Sequence, residues 1–187
     1  MLKQSAFILT ICLLTSCWGI YKQPVPEPLS EAKVLGYKPV YTTDSSLLQT
    51  QLLGPQVIKY PGKIYVKDKL IFQNEFGNGI HIIDNTDPAT AKKIAFIRLL
   101  GNTEMSIKGN FIYANSYADL VVIDITDWQN IVEVKRVRQA FSHGNGAQFY
   151  RYIPLPEHGV YYECRYNNGI QTGWIKDSVH IYSCYYP

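Results

Sequence analysis

The residues able to do chemistry are few and widely spaced. The histidines His81, His143, His158 and His180 show none of the close spacing that brings two imidazoles to one metal ion. His81 has apolar neighbours on both sides in Gly79-Ile-His-Ile-Ile-Asp and reads as a structural histidine on a strand. Ser142-His-Gly-Asn-Gly is glycine-rich, but it lacks the Lys-Ser/Thr of a phosphate loop and the frame of a nucleophile elbow, so it reads as a turn. Glu75, Glu104, Glu133, Glu157 and Glu163 are scattered, and nothing pairs them for acid–base work. Asp84 with Asp87, and Asp124 with Asp127, lie in Asn-Thr-Asp or Ile-Thr-Asp turns. There a carboxylate accepts backbone N–H groups, while a calcium site would need further oxygen ligands. No catalytic residue, metal site or cofactor is expected.

Two residue types remain that could act. Tyrosine makes up 15 of the 187 residues, and many tyrosines crowd the last forty or so positions. Tyr161, Tyr162, Tyr166, Trp174 and Tyr182 are the candidate recognition aromatics, because a ring with a polar tip suits both stacking and hydrogen bonding. The alternative is that they are ordinary strand residues packing a sheet. Of the four cysteines, Cys12 is expected to leave with a leader and Cys17 to be used for an anchor, which leaves Cys164 and Cys184. In an oxidising compartment these two are expected to form a disulfide, two buried free thiols being the alternative.

The leader itself sets the compartment. Lys3 precedes an apolar run from Ala6 to Leu14, too short to cross a bilayer as a helix and of the length of a signal-peptide core. It ends in Leu14-Thr15-Ser16-Cys17, which resembles the lipobox of bacterial lipoproteins. The resemblance implies acylation of the Cys17 thiol and cleavage before it, so that residues 1–16 are lost. An ordinary signal peptide with a chance cysteine is the other reading. Several acyl chains would anchor the protein stably where one is marginal. Trp18 follows the cysteine in place of an acidic residue, so the outer membrane or cell surface is the expected location. Gln23-Pro-Val-Pro-Glu-Pro within residues 17–30 favours an extended tether. The net charge of +3 is too small to point to nucleic acid.

Positioning falls to the chain beyond the tether, about 170 residues after cleavage and thus the length of one domain. Residues 31–61 are mixed: Lys38-Pro-Val-Tyr-Thr-Thr suits a strand, and Ser45 to Leu53 a short helix or turn. From Gly62 the pattern becomes regular. Lys63-Ile-Tyr-Val-Lys, Lys69-Leu-Ile-Phe-Gln-Asn-Glu, Gly79-Ile-His-Ile-Ile-Asp and Lys92-Lys-Ile-Ala-Phe-Ile-Arg are β-branched or aromatic runs bounded by turn residues. They predict a four-stranded antiparallel meander over 62–102. Lys108-Gly-Asn-Phe-Ile-Tyr-Ala-Asn, Asp119-Leu-Val-Val-Ile-Asp and Val132-Glu-Val-Lys-Arg-Val-Arg repeat it over 103–141, at an offset of about 41 and then about 40 residues, with the one-residue gap in the turn after Phe76 or Tyr117. Spacing of this kind is that of propeller blades. Stacking the two would bury Ile71 and Ile112, Ile82 and Val122, and Ile83 and Ile123 between neighbouring sheets. The tail, 142–187, offers strands at 147–153, 159–166, 169–176 and 178–185 as a degenerate third blade. The fold class predicted is all-β, an incomplete β-propeller.

Asp119-Leu-Val-Val-Ile-Asp-Ile and its partner Gly79-Ile-His-Ile-Ile-Asp resemble the LVIVD repeat of bacterial and archaeal surface proteins. With Pro61-Gly-Lys-Ile-Tyr-Val-Lys and Ile94-Ala-Phe-Ile they are similar to the Bacteroidetes lipoproteins that carry it, over roughly residues 54–141. The resemblance implies a propeller-type surface lipoprotein and carries no catalytic residues. Propellers need about four to eight blades, so a self-associating domain, an open solenoid-like stack or a truncated gene product is expected here. The expected function is a lipid-anchored, non-enzymatic module that binds a protein or glycan. A remnant without its own ligand is the alternative, and a hydrolase needing a complete ring is a further one.

Overall fold

The computed structural model describes residues 32–141, 153–164, 169–180 and 183–187. Contacts divide the chain into two units, Met1–Ala32 and Lys33–Pro187, and the second contains all the regular structure described below. It is all-β, in three open sheets. Cys17 and the tether lie outside the described residues.

The first sheet contains β3 (Pro61–Lys67), β4 (Leu70–Glu75), β5 (Gly79–Asp84) and β6 (Lys92–Arg98), hydrogen-bonded in that order as an antiparallel meander. A fifth strand, β2 (Gln51–Leu53), pairs with β6, so the expectation of four strands is corrected. Asp44 caps a 3-10 turn at Ser45–Leu48 by accepting the Ser46 N–H. The chain then extends, and Leu52 packs against the core opposite Ile97. The second sheet is β7 (Met105–Lys108), β8 (Phe111–Ser116), β9 (Asp119–Asp124) and β10 (Val132–Val137), again a meander.

The backbone repeats along with the sequence. Asp68 and Gly109 occupy matching β3–β4 and β7–β8 turns, and both have positive φ (54° and 59°). Gly77 and Tyr117 do the same between β4 and β5 and between β8 and β9 (82° and 55°). The first of these hairpins spans residues 76–78 and the second only 117–118, which is where the one-residue gap falls. Asp84 Oδ1 accepts the Thr86 N–H at 2.9 Å and Asp124 Oδ1 the Thr126 N–H at 2.8 Å, so each carboxylate closes the turn after its strand.

The two meanders pack so that opposite faces meet. In the first, the face carrying Phe72, Ile80, Ile82, Ala95 and Ile97 is buried; this is termed the front. In the second, the buried face carries Met105, Ile112, Ala114, Val121 and Ile123, the back by repeat position. One hydrophobic cluster joins them. The expectation that Ile71, Ile83 and Val122 are buried along with their counterparts is therefore corrected: these three are only half-buried. Side chains alternate across a strand, so Ile71, Ile83 and Val122 lie on the faces turned away from this cluster, while His81 and Val121, which share a repeat position, are both buried.

The third sheet departs most from expectation. Its order is β12 (Ile170–His180), β1 (Lys33–Thr42), β11 (Val160–Tyr162), β13 (Cys184–Tyr186). The tail does not form a meander of its own: β1, from the N-terminal segment, lies between two tail strands. It runs antiparallel to β12 from Lys33↔His180 to Thr42↔Ile170 and parallel to β11 at Gly36↔Tyr161 and Tyr37↔Tyr162. Pairing along the whole of β1 makes one continuous strand of 170–180, where the sequence suggested a break before Ser178. Of the expected strand at 147–153, residues 147–152 lie outside the described residues, and Ile153 is not in a strand.

Candidate functional site

Where the third sheet meets the hairpin of the first meander, a cleft of about 170 Å³ opens. Three stretches line it: Lys59 and Tyr60 before β3, Phe76 and Asn78 in the β4–β5 hairpin, and the tail with Ile153, Pro154, Pro156, Thr172, Gly173 and Trp174.

Glu75 fixes the first stretch. This carboxylate is buried at the end of β4 and accepts the N–H groups of Tyr60 (2.7 Å) and Lys59 (3.1 Å). The Phe76 N–H donates to the Tyr60 carbonyl at 2.8 Å, tying loop to hairpin. His81, also buried, places Nε2 3.0 Å from Glu75 Oε2, and its ring lies 4.8 Å from that of Phe96. A buried carboxylate persists only with such donors around it. The histidine read as structural thus supports the cleft from behind.

Gln171 and Trp174 on β12 fix the tail side. The buried Gln171 Oε1 accepts the Ile153 N–H at 3.0 Å, and Trp174 Nε1–H donates to the carbonyls of Ile153 (2.8 Å) and Pro154 (3.1 Å). Gly77 brings the hairpin against Ile153, since a Cβ on that glycine would stand 2.5 Å from the isoleucine methyl. The Tyr117 hydroxyl donates to the Gln171 carbonyl at 2.6 Å. The wall is therefore held by hydrogen bonds at buried or half-buried positions, and its tryptophan ring is fixed in place.

The expected recognition aromatics do not gather into one platform. Trp174 lines the cleft, and Tyr162 backs it edge-on with ring centroids 5.8 Å apart. Tyr161, the next residue along β11, faces the other side of the sheet and packs on Tyr185 at 5.1 Å. Tyr166 and Tyr182 lie outside the described residues. Cys164 and Cys184 are joined by a disulfide, Cα to Cα 5.2 Å, beside the β11–β13 pairing. His158 stacks on Tyr186 at 4.4 Å, His180 ends β12, and His143 lies outside the described residues. Among the described residues, no three His, Cys, Asp or Glu side chains group as metal ligands.

Tyr60, Lys59 and Phe76 were not legible as site residues, since no motif marks them and only the fold brings them to Trp174. Near the cleft, Tyr37 hydrogen-bonds to Glu157, which also accepts from Lys176 Nζ at 3.1 Å. Burial first, and then this carboxylate, push the Tyr37 phenol far above its ordinary range. The same two donors, Tyr37 and Lys176, hold the Glu157 carboxyl below its usual value.

Chemically the cleft offers exposed ring surface at Tyr60 and the fixed indole of Trp174, with Lys59, Asn78 and Thr172 as the polar residues of its lining; the Asn78 amide donates to the Phe76 carbonyl and the Thr172 hydroxyl to the Val40 carbonyl. No helix among the described residues is long and apolar enough to cross a membrane. No family model, no curated protein sequence and no solved structure matches the chain.

Proposed function

We propose that this protein is a lipid-anchored module of the bacterial cell envelope, held at the outer membrane through acylated Cys17, that binds an extracellular glycan in the cleft between Tyr60 and Trp174. Its two meanders are propeller-like blades, and its role is binding without catalysis. The observation carrying this reading is the cleft itself: three aromatic residues, Tyr60, Phe76 and Trp174, in one lining with the polar Lys59, Asn78 and Thr172. A sugar ring has an apolar face and a polar edge, and aromatic side chains with nearby polar tips match both. The front-on-back packing of repeated meanders supports the blade reading, because stacked repeats bury equivalent surfaces in turn. The lipobox and the likeness to LVIVD-repeat lipoproteins support the anchor and the compartment.

Glycan-array binding tests the ligand. Tyr60→Ala removes exposed ring surface and is expected to weaken binding at least tenfold with the melting temperature unchanged. Trp174→Ala should abolish binding and also loosen the tail. A blank array, with envelope proteins included, would leave the chain as a remnant without its own ligand. Metabolic labelling with a radioactive fatty acid tests the anchor: label should be lost in Cys17→Ser, and an unlabelled parent chain would refute it.

A further inference from the structure

The cleft between Tyr60 and Trp174 is uneven in charge. Among the described residues of its lining, Lys59 alone is a charged residue; the others are aromatic, apolar, amide or hydroxyl residues and a glycine. Lys59 is exposed. Lys38, Lys63, Lys67 and Lys176 each meet a carboxylate of the chain, whereas among the described residues none forms an ion pair with Lys59. The two acidic residues next to the lining are engaged elsewhere. Glu75 is buried and spends its oxygens on the Lys59 and Tyr60 N–H groups and on His81. Glu157, beside Pro156, accepts from Tyr37 and from Lys176. A cationic side chain thus belongs to the cleft without a counter-charge from the described residues.

Glu75 also sets where that cation stands. The N–H groups of Lys59 and Tyr60 converge on its carboxylate at 3.1 and 2.7 Å, so this stretch is curled. Successive residues of an extended strand would point to opposite sides; here both line one cleft. We propose, resting on the glycan reading of the cleft, that its ligand is acidic: one sugar carries a carboxylate, as in a uronic acid, which pairs with Lys59 while the ring stacks on Tyr60. The carboxylate of such a sugar stands at the edge of the ring. Stacking one face on an aromatic side chain leaves that edge free to meet a neighbouring ammonium through charge-assisted hydrogen bonds. One carboxylate matches one unpaired ammonium.

Calorimetric titration of the full chain, purified in detergent, tests this with oligogalacturonate and oligomannuronate. Each is offered as the free acid and as its methyl ester, which keeps the rings and removes the charge. One of the acids should bind about tenfold more tightly than its ester, a factor between that of an open surface ion pair and that of a charged hydrogen bond out of water. Raising the salt to about 0.5 M should shrink that advantage, because screening shortens the reach of exposed charges. Lys59→Gln should abolish the difference with the melting temperature unchanged. Lys63→Gln, which removes an equal charge from a residue outside the lining that pairs with Glu104, should keep it. Equal affinity for acid and ester, or binding of neutral oligosaccharides only, would overturn the acidic ligand and leave the glycan reading standing. Preference for a sulfated oligosaccharide over both uronates would overturn the carboxylate, and a difference that persists in Lys59→Gln would overturn the role of Lys59. Failure of every sugar to bind would overturn the acidic ligand and the glycan reading together.

Discussion

Glu75 shows how one residue serves both stability and site. Itself buried, it receives two backbone N–H groups of the exposed Lys59–Tyr60 loop and faces the buried His81. Removing a buried acceptor leaves its donors unsatisfied, at about 1–3 kcal/mol. Glu75→Ala should therefore lower stability by about 3 kcal/mol, measured by urea titration, and should weaken ligand binding because Tyr60 loses its mooring. Asp84 and Asp124 act at the same scale but answer to pH. Hydrogen bonds from Thr86 and Thr126 hold their carboxyls below the ordinary value. A depressed pKa in the folded state contributes stability that is fully present above the unfolded value, about 4, and lost as pH falls through the folded one. Melting temperature should thus fall on acidification below about pH 4, and less steeply in the Asp84→Asn, Asp124→Asn double variant. Equal acid sensitivity in the two proteins would refute this.

At the level of elements, the joint between the meanders is buried and densely hydrogen-bonded. The segment Leu99–Glu104 carries the chain from one to the other and is bound by asparagines. Asn74 donates to Asn102, Asn102 donates to the Asn115 carbonyl at 3.0 Å, and Asn115 Oδ1 accepts the Thr103 and Glu104 N–H groups at 2.9 and 2.8 Å. Gly101 makes the bend with φ of +73°, its face against the Tyr117 ring, where a Cβ would stand 2.4 Å from Cγ. Left-handed backbone costs an L-residue roughly 1–2 kcal/mol before any clash. Gly101→Ala should lower the melting temperature by about 2–8 °C for a chain of this size, before any contribution from the clash, as read by circular dichroism. The pattern Gln73-Asn-Glu over Ala114-Asn-Ser was legible as a repeat, whereas the bridging role of Asn102, outside the repeated strands, was not.

For the molecule, or more narrowly its unit Lys33–Pro187, stability rests on two different arrangements. The meanders share an apolar cluster built from contacts close in sequence. The third sheet joins β1 to strands more than a hundred residues later, with few fully buried side chains, and a disulfide holds its far edge. Closing a loop of this size by a disulfide is worth about 3 kcal/mol on the chain-entropy account. Cys184→Ser should accordingly loosen residues 157–187 to protease ahead of the meanders, and full resistance of that segment would show the bridge to be dispensable.

What the amino-acid sequence determined by itself is what short-range physics decides. Alternation of β-branched and apolar residues sets the strands of both meanders, turn residues set their ends, and repetition sets their equivalence; six of the seven expected runs in 62–141 are strands within a residue or two, and the seventh, from Lys108, crosses the β7–β8 turn before its strand begins at Phe111. Tertiary structure alone decided which face of each repeat is buried, since Ile71 and Ile112 read alike and only the neighbouring sheet separates them. It also decided the third sheet, where β1 supplies hydrogen bonds that no local pattern in the tail could announce. The cleft follows from both: Tyr60, Phe76 and Trp174 belong to three stretches with no common motif, and long-range packing makes them neighbours.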